Sequence, residues 1–198
     1  MCYNEDGAFR KNARADAQIN GLLPAQQTAK GGFCMERRDK INYYLDIAEA
    51  VCARSTCLRR KFGAIIVKHD EIISTGYNGA PRGRKNCSDL DFCNRERLQV
   101  PRGQRYELCR SVHAEANAII SASRADLLGA ELFLACHDAK TGALDGAVEP
   151  CSMCKRLILN AGIVRVYTRD ENDRYRVIET AEWITNDDSL TDALPEGY

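Results

Sequence analysis

His113 and Glu115 stand two positions apart, and Cys151 and Cys154, three apart, follow directly on Pro150. An imidazole and two thiolates are a donor set that a catalytic zinc takes, at about 2.0 Å to nitrogen and about 2.3 Å to sulfur, with a fourth position left for water. Two cysteines in the first turn of a helix can point at one ion, and the positive end of that helix favours their thiolate forms. Pro150 suits the start of such a helix, where its missing N–H costs nothing. Glu115 is too close to His113 to be spare, and a fourth ligand would close a site that needs open coordination, so its chemistry is proton transfer. Zinc brings the pKa of a bound water towards about 7. A carboxylate beside it can take that proton, pass it to a ring nitrogen and later protonate a leaving amine. The alternative is a closed, structural zinc knuckle at the two cysteines, which would leave a helix-borne glutamate at this offset without a purpose.

Rigid elements must hold these four groups. Ser111 is a candidate N-cap for a buried helix over Val112 to Ser123, and Ser152 to Ala161 reads as a second helix. Ile41, Tyr44, Leu45, Ala48, Val51 and Cys52 recur at helical spacing, predicting an amphipathic helix over 38–54. Phe62 to Lys68 and Glu71 to Tyr77 are β-branched runs separated by His69-Asp70, a hairpin signal, with His69 an exposed turn residue. Leu132 to Cys136 and Ile163 to Thr168 read as strands flanking the second helix, and Arg176 to Thr180 as a fifth. Strand, helix, strand implies a sheet with helices packed on its faces, an α/β fold. Between Asn78 and Arg110 the chain reads as loop, opened by Asn78-Gly79-Ala80-Pro81-Arg82-Gly83 and rich in arginine and cysteine beyond it.

The 198 residues make room for one domain with a real core. Residues 1–34 carry no sustained period, which predicts a disordered N-terminal extension before a domain over 35–180, with 181–198 a tail or short helix. Met35 is a possible biological start. Lys plus Arg and Asp plus Glu both number 28, so the chain lacks the surplus of positive charge on which bulk nucleic-acid binding relies. No apolar run approaches the roughly 20 residues that span a bilayer, and no signal peptide pattern opens the chain, so a cytoplasmic location is expected. In that setting ten cysteines point to metal ligation rather than disulfides.

The pattern H-x-E…P-C-x-x-C is that of zinc deaminases acting on nucleobases. Around it, Gly63-Ala64-Ile65-Ile66-Val67, then Gly76-Tyr77-Asn78-Gly79-Ala80-Pro81, then Cys109 four residues before His113-Ala114-Glu115-Ala116-Asn117-Ala118-Ile119, resemble the deoxycytidylate (dCMP) deaminase family of the cytidine-deaminase-like fold. The resemblance covers 57–168. It implies a three-layer α/β/α sandwich around a mixed sheet of about five strands, and hydrolysis of dCMP to dUMP and ammonia feeding thymidylate synthesis. It implies zinc on His113, Cys151 and Cys154, with Glu115 the catalytic acid–base. It further implies substrate contacts from Asn78, nucleotide or effector contacts from Arg124, and a second, structural zinc on Cys57, Cys87, Cys93 and Cys109. Activation by dCTP and inhibition by dTTP, with Mg2+, and a homo-oligomer, often a hexamer, belong to the same family pattern.

Rival readings are a deaminase of another small nucleotide, nucleoside or base (cytidine, guanine, transfer-RNA adenosine), or a non-catalytic nucleotide-binding sensor on the same fold. Glu115 stands against the sensor. Among Arg82, Arg84, Lys85, Arg95, Arg97, Arg102 and Arg105, one or two are candidates for binding a phosphate; the interspersed Asp89, Asp91, Glu96 and Glu107 make a solvated charged loop the alternative for the rest. The chain departs from the family in the segment His137 to Glu149, where a very short connection is usual. It could be a flap over the nucleotide, altering which substrate enters, or a surface hairpin.

Overall fold

Apolar residues at every position of Ala64 to Val67 and Leu132 to Cys136 make strands that bury both faces, so helices are required above and below them. The computed structural model describes residues 37–101, 103–146 and 148–186. The predicted extension over 1–34 and the end of the predicted tail lie outside the described residues. In chain order the elements are α1 (Lys40–Cys52), β1 (Arg60–Lys68), β2 (Glu71–Tyr77), α2 (Cys87–Leu90), α3 (Asn94–Arg97), a 3-10 turn (Tyr106–Leu108), α4 (Ala114–Ile120), α5 (Arg124–Leu127), β3 (Glu131–Asp138), α6 (Ser152–Ala161), β4 (Arg165–Arg169), β5 (Tyr175–Glu179) and α7 (Glu182–Thr185).

The strands form one sheet in the order β2-β1-β3-β4-β5. It is mixed: β3 and β4, joined through α6, are parallel, and the other neighbours are antiparallel. One face carries Ala64, Ile66, Leu132, Leu134, Cys136 and Val166, and packs on Ala114 and Ala118 of α4 and Ile158 and Ala161 of α6. The other carries Ile65, Val67, Phe133, Ala135 and Tyr167, and packs on Tyr44, Leu45, Ala48 and Cys52 of α1. This is the expected three-layer α/β/α arrangement. Two strand glycines set the closeness of the layers. A Cβ on Gly63 would lie 2.6 Å from Cys52 N in α1, and one on Gly76 would lie 3.0 Å from the Ala118 Cα in α4. Arg169, buried at the end of β4, fastens α1 through Glu49, Asp46 and Asn42.

Several elements differ from the sequence expectation for identifiable reasons. The helix foreseen over 38–54 starts only after Asp39, whose side chain caps it by accepting from Asn42 N at 3.1 Å. The helix foreseen over 112–123 is shorter at both ends, because Val112 pairs with Gly79 and Ser123 caps a new helix, α5, by accepting from Asp126 N. The arginine-rich stretch contains two single-turn helices and a 3-10 turn rather than plain loop. The segment after β3 is a tight hairpin. Asp138 N donates to Ala143 O at 2.9 Å, Asp145 N donates to Cys136 O at 2.9 Å, and Asp138 Oδ1 accepts from the N–H groups of Lys140 and Thr141 at the tip. Asp145 pairs with Arg60 at the start of β1.

Candidate active site

Two helix N-termini, delivered by different connections of the sheet, meet at one end of the molecule. Val112 exchanges backbone hydrogen bonds with Gly79, at 2.8 and 3.2 Å, which holds it extended. His113 therefore becomes the N-cap of α4 (φ −71°, ψ 155°) and Glu115 falls in its first turn. Cys151 is likewise the N-cap of α6 (φ −68°, ψ 165°), after Pro150 and with Cys154 in the first turn. The sulfurs of Cys151 and Cys154 lie 3.5 and 3.4 Å from His113 Nδ1. A tetrahedral ion with the usual zinc bond lengths would hold nitrogen and sulfur about 3.5 Å apart, so the donor set fits zinc. Among the described residues this is the one group of three ligands whose atoms all lie within 4.8 Å of one another.

Charge is arranged accordingly. The Cys151 thiol is drawn well below its ordinary value, first by a hydrogen bond from the Cys154 thiol and then by His113; Cys154 is pushed the opposite way by that same bond and by burial. A divalent cation binding there would hold both sulfurs as thiolates, releasing a proton. Burial disfavours the charged form of His113, but the Cys151 sulfur and the Glu115 carboxylate outweigh it and raise its pKa. Glu115 is 4% exposed, and burial raises its pKa against the opposing pull of His113. A carboxyl shifted upwards in this way is suited to taking and returning protons near neutral pH.

The cavity beside these groups is lined by residues including Arg59, Arg60, Phe62, Asn78, Arg95, Tyr106, Ser111 and Glu149. Asn78 is buried, and its side chain is busy: Oδ1 accepts from Phe62 N at 2.8 Å and from Ser55 Oγ, while Nδ2 donates to Arg60 O at 2.9 Å. Arg124 lies apart, exposed on α5, where it donates to Asn160 O, and is not among the lining residues. Of the seven basic residues singled out in the loop, Arg95 alone lines the cavity among those described. Cys57, Cys93 and Cys109 also line it. Cys87 is buried near all three, and its thiol is raised by burial first and by their proximity next. The hairpin over 138–146 contributes no lining residue.

Tyr106, Ser111, Arg59 and Arg60 were not legible as site residues from the sequence. Tyr106 stands edge-on to the His113 ring, at 5.0 Å and 87°, and its own ring carries the Arg95 guanidinium at 4.6 Å. It belongs to a stretch without periodicity; only its place seven residues before His113 hinted at it.

Comparison with known proteins agrees with this geometry. Residues 38–169 match the family described as the cytidine and deoxycytidylate deaminase zinc-binding region. The deoxycytidylate deaminase of Mycobacterium phage D29 is 42% identical over 138 residues, covering 67% of this chain and 95% of that protein. The deoxycytidylate deaminase of Saccharomyces cerevisiae is 30% identical over 183 residues, 90% of this chain; the match spans 54% of the yeast protein's length. A dCMP deaminase of cyanophage S-TIM5, solved in complex with dCMP and dUMP, is 30% identical, with 65% of this chain and 79% of that one covered and a TM-score of 0.46.

Proposed function

The chain belongs to the cytidine and deoxycytidylate deaminase zinc-binding family, and from that premise we propose that it hydrolyses dCMP to dUMP and ammonia, supplying the precursor for thymidylate synthesis. The observation that carries the reading is the buried Glu115 one residue inside a helix whose cap, His113, meets Cys151 and Cys154. His113 Nδ1 and the two sulfurs would hold the zinc, which when bound supplies the Lewis acidity that makes a water acidic near neutral pH. Glu115 takes the proton released as water adds to C4 of the ring and gives it to N3; it then takes the proton of the new C4 hydroxyl and passes it to the exocyclic amine, so that the C4–N bond breaks as the C4 carbonyl forms and ammonia departs. Tyr106 holds the His113 ring in one plane. Asn78 would meet the sugar with what remains of its amide, having its oxygen fixed to β1 and to Ser55.

Incubating zinc-replete protein with dCMP, deoxycytidine, cytidine and guanine, with product detection by mass spectrometry, tests the substrate. Conversion of dCMP ahead of the others is expected, and its absence overturns the reading. The proposal extends to a second zinc on Cys57, Cys87, Cys93 and Cys109: Cys57, Cys93 and Cys109 line one cavity with Cys87 near them, although the four sulfurs, unlike those at His113, are not gathered within 4.8 Å of one another. Metal analysis should return about two equivalents per chain; one, with Cys87 and Cys109 freely alkylated, removes that site. Regulation by dCTP and dTTP with Mg2+, with Arg124 as an effector contact, is tested by the response of the dCMP rate to each nucleotide in wild-type and Arg124→Ala protein. Exposed Ile120, Leu128, Leu157 and Ile184 support a homo-oligomer, for which a hexamer is expected by light scattering. The eight unpaired cysteines among the described residues support a reducing, cytoplasmic setting, and no described helix is long and apolar enough to cross a membrane.

A further inference from the structure

Three buried side-chain nitrogen or oxygen atoms among the described residues have no hydrogen-bond partner: Arg95 Nε, Ser111 Oγ and Thr168 Oγ1. Two of them belong to residues that line the cavity holding His113 and Glu115. Buried polar groups in native proteins are nearly always paired, and an unpaired one costs free energy, most of all when it is charged. Resting on the deaminase reading above, we propose that Arg95, with Ser111 lining the same cavity, is the recognition site for the 5′-phosphate, and so selects a nucleoside monophosphate over the free nucleoside.

The charge balance singles out Arg95. Three arginines line the cavity. Arg59 reaches Glu96, at 3.5 Å, and Arg60 is paired with Asp145. Arg95 is 5% exposed and forms no ion pair with a described carboxylate; its Nη2 donates to two neutral carbonyls, Pro101 O at 2.7 Å and Gln104 O at 2.5 Å. Glu107 in the same loop is engaged with Arg105 and lies in solvent. A buried cation whose guanidinium touches no described carboxylate is an expensive arrangement, and a phosphate dianion would give it a direct partner. With both Nη2 hydrogens taken by carbonyls, the Nε–H is a donor left for a phosphate oxygen, in a charge-assisted hydrogen bond.

The group is held in advance of any ligand. The two carbonyls fix Nη2, and the Tyr106 ring lies under the guanidinium carbon at 4.6 Å. Tyr106 in turn abuts His113 at 5.0 Å. One continuous stack therefore sets the cation's position relative to the reacting end of the cavity, as a ruler for a substrate with a base at one end and a phosphate at the other. Ser111 Oγ, buried in the same cavity lining, has no partner in hydrogen-bond geometry among the described residues, which leaves the hydroxyl for a phosphate oxygen.

The test compares wild type with Arg95→Met, Arg95→Lys and Ser111→Ala. Calorimetric affinity is measured for dUMP and for deoxyuridine, kcat/KM for dCMP and for deoxycytidine, and metal content for each protein. Arg95→Met should weaken dUMP on the order of 10- to 100-fold, the range for a hydrogen bond to a charged group, and leave deoxyuridine unchanged with metal retained. Arg95→Lys, keeping charge without the fixed Nε–H donor, should fall between, and Ser111→Ala should show a smaller loss of the same kind. Equal weakening of dUMP and deoxyuridine, unchanged affinity for both, or loss of metal with the preference for dUMP intact would each overturn the proposal. If Arg95→Met fails to fold, Arg95→Lys carries the same comparison. Wild type inactive on dCMP removes the deaminase reading; wild type active on dCMP with Arg95 variants of undiminished phosphate preference removes this inference alone.

Discussion

Replacing Gly76 with alanine tests whether the position of the catalytic helix is set by backbone contact with the sheet. The new Cβ would sit inside contact distance of Ala114 O and Ala118 N, and 3.0 Å from Ala118 Cα. Carbon atoms pack comfortably at about 3.5–4.0 Å, so α4 must retreat by roughly 0.5–1 Å, since all three neighbours are backbone and cannot rotate away. Overpacking of this kind costs about 1–3 kcal/mol, or roughly 2–12 °C in Tm for a domain of this size. The same shift displaces His113 and Glu115 together, and a misplacement of about 1 Å is worth on the order of 100-fold in rate. Gly79→Ala serves as the contrast, because its Cβ would meet the Thr56 hydroxyl at 3.1 Å and otherwise only ordinary contacts. Thermal melts and kcat on dCMP for both variants decide the matter. Gly76→Ala with wild-type Tm and kcat would refute the argument, and a lowered Tm with full kcat would show that the sheet, not α4, gives way.

Glu115→Gln should keep its zinc by metal analysis and lose about 100- to 10,000-fold in kcat, and a variant that keeps its activity would remove the proton-transfer role. Burial pushes the Cys52 thiol up to about 12, so it should resist iodoacetamide at pH 8 in the native protein and react once unfolded; labelling of the native chain at that site, read by mass spectrometry, contradicts the burial. Backbone N–H groups of Thr141 and Lys140 hold the Asp138 carboxyl below its usual range. Its stabilisation of the hairpin is therefore complete above the unfolded aspartate value of about 3.9 and disappears as pH falls through the lowered folded value. Hydrogen exchange at Lys140 and Thr141 should accelerate, relative to core amides, across that acidic window, and Asp138→Ala should abolish the protection at every pH.

The grouping of His113, Cys151 and Cys154, with Glu115 beside it, was legible because it is local: two short motifs fix residue type and spacing, and a helix N-terminus is enough to aim each. The layer order was legible for a related reason, since the doubly apolar runs of β1 and β3 require helices on both sides. Less could be seen where tertiary contact overrides local preference. Ser111 has the side chain of an N-cap, yet pairing of Val112 with Gly79 hands that place to His113. Arg95 could not be told from its basic neighbours, because what distinguishes it is which carboxylates are absent around it once the loop is folded. Asn78, whose motif suggests ligand contact, has a second duty the motif did not reveal: its side-chain oxygen accepts from Phe62 N of β1 and from Ser55 Oγ in the preceding loop.

The ion pair between Arg60 and Asp145 links the added hairpin to a wall of the cavity it does not enter. The hairpin thereby sets the net charge that an incoming anion meets, from outside the space the anion occupies. Loss of Asp145 would leave the Arg60 guanidinium without that partner at the cavity wall, while His113, Glu115, Cys151 and Cys154 kept their places. The charge of that wall and the groups at the two helix N-termini are thus carried by separable pieces of chain.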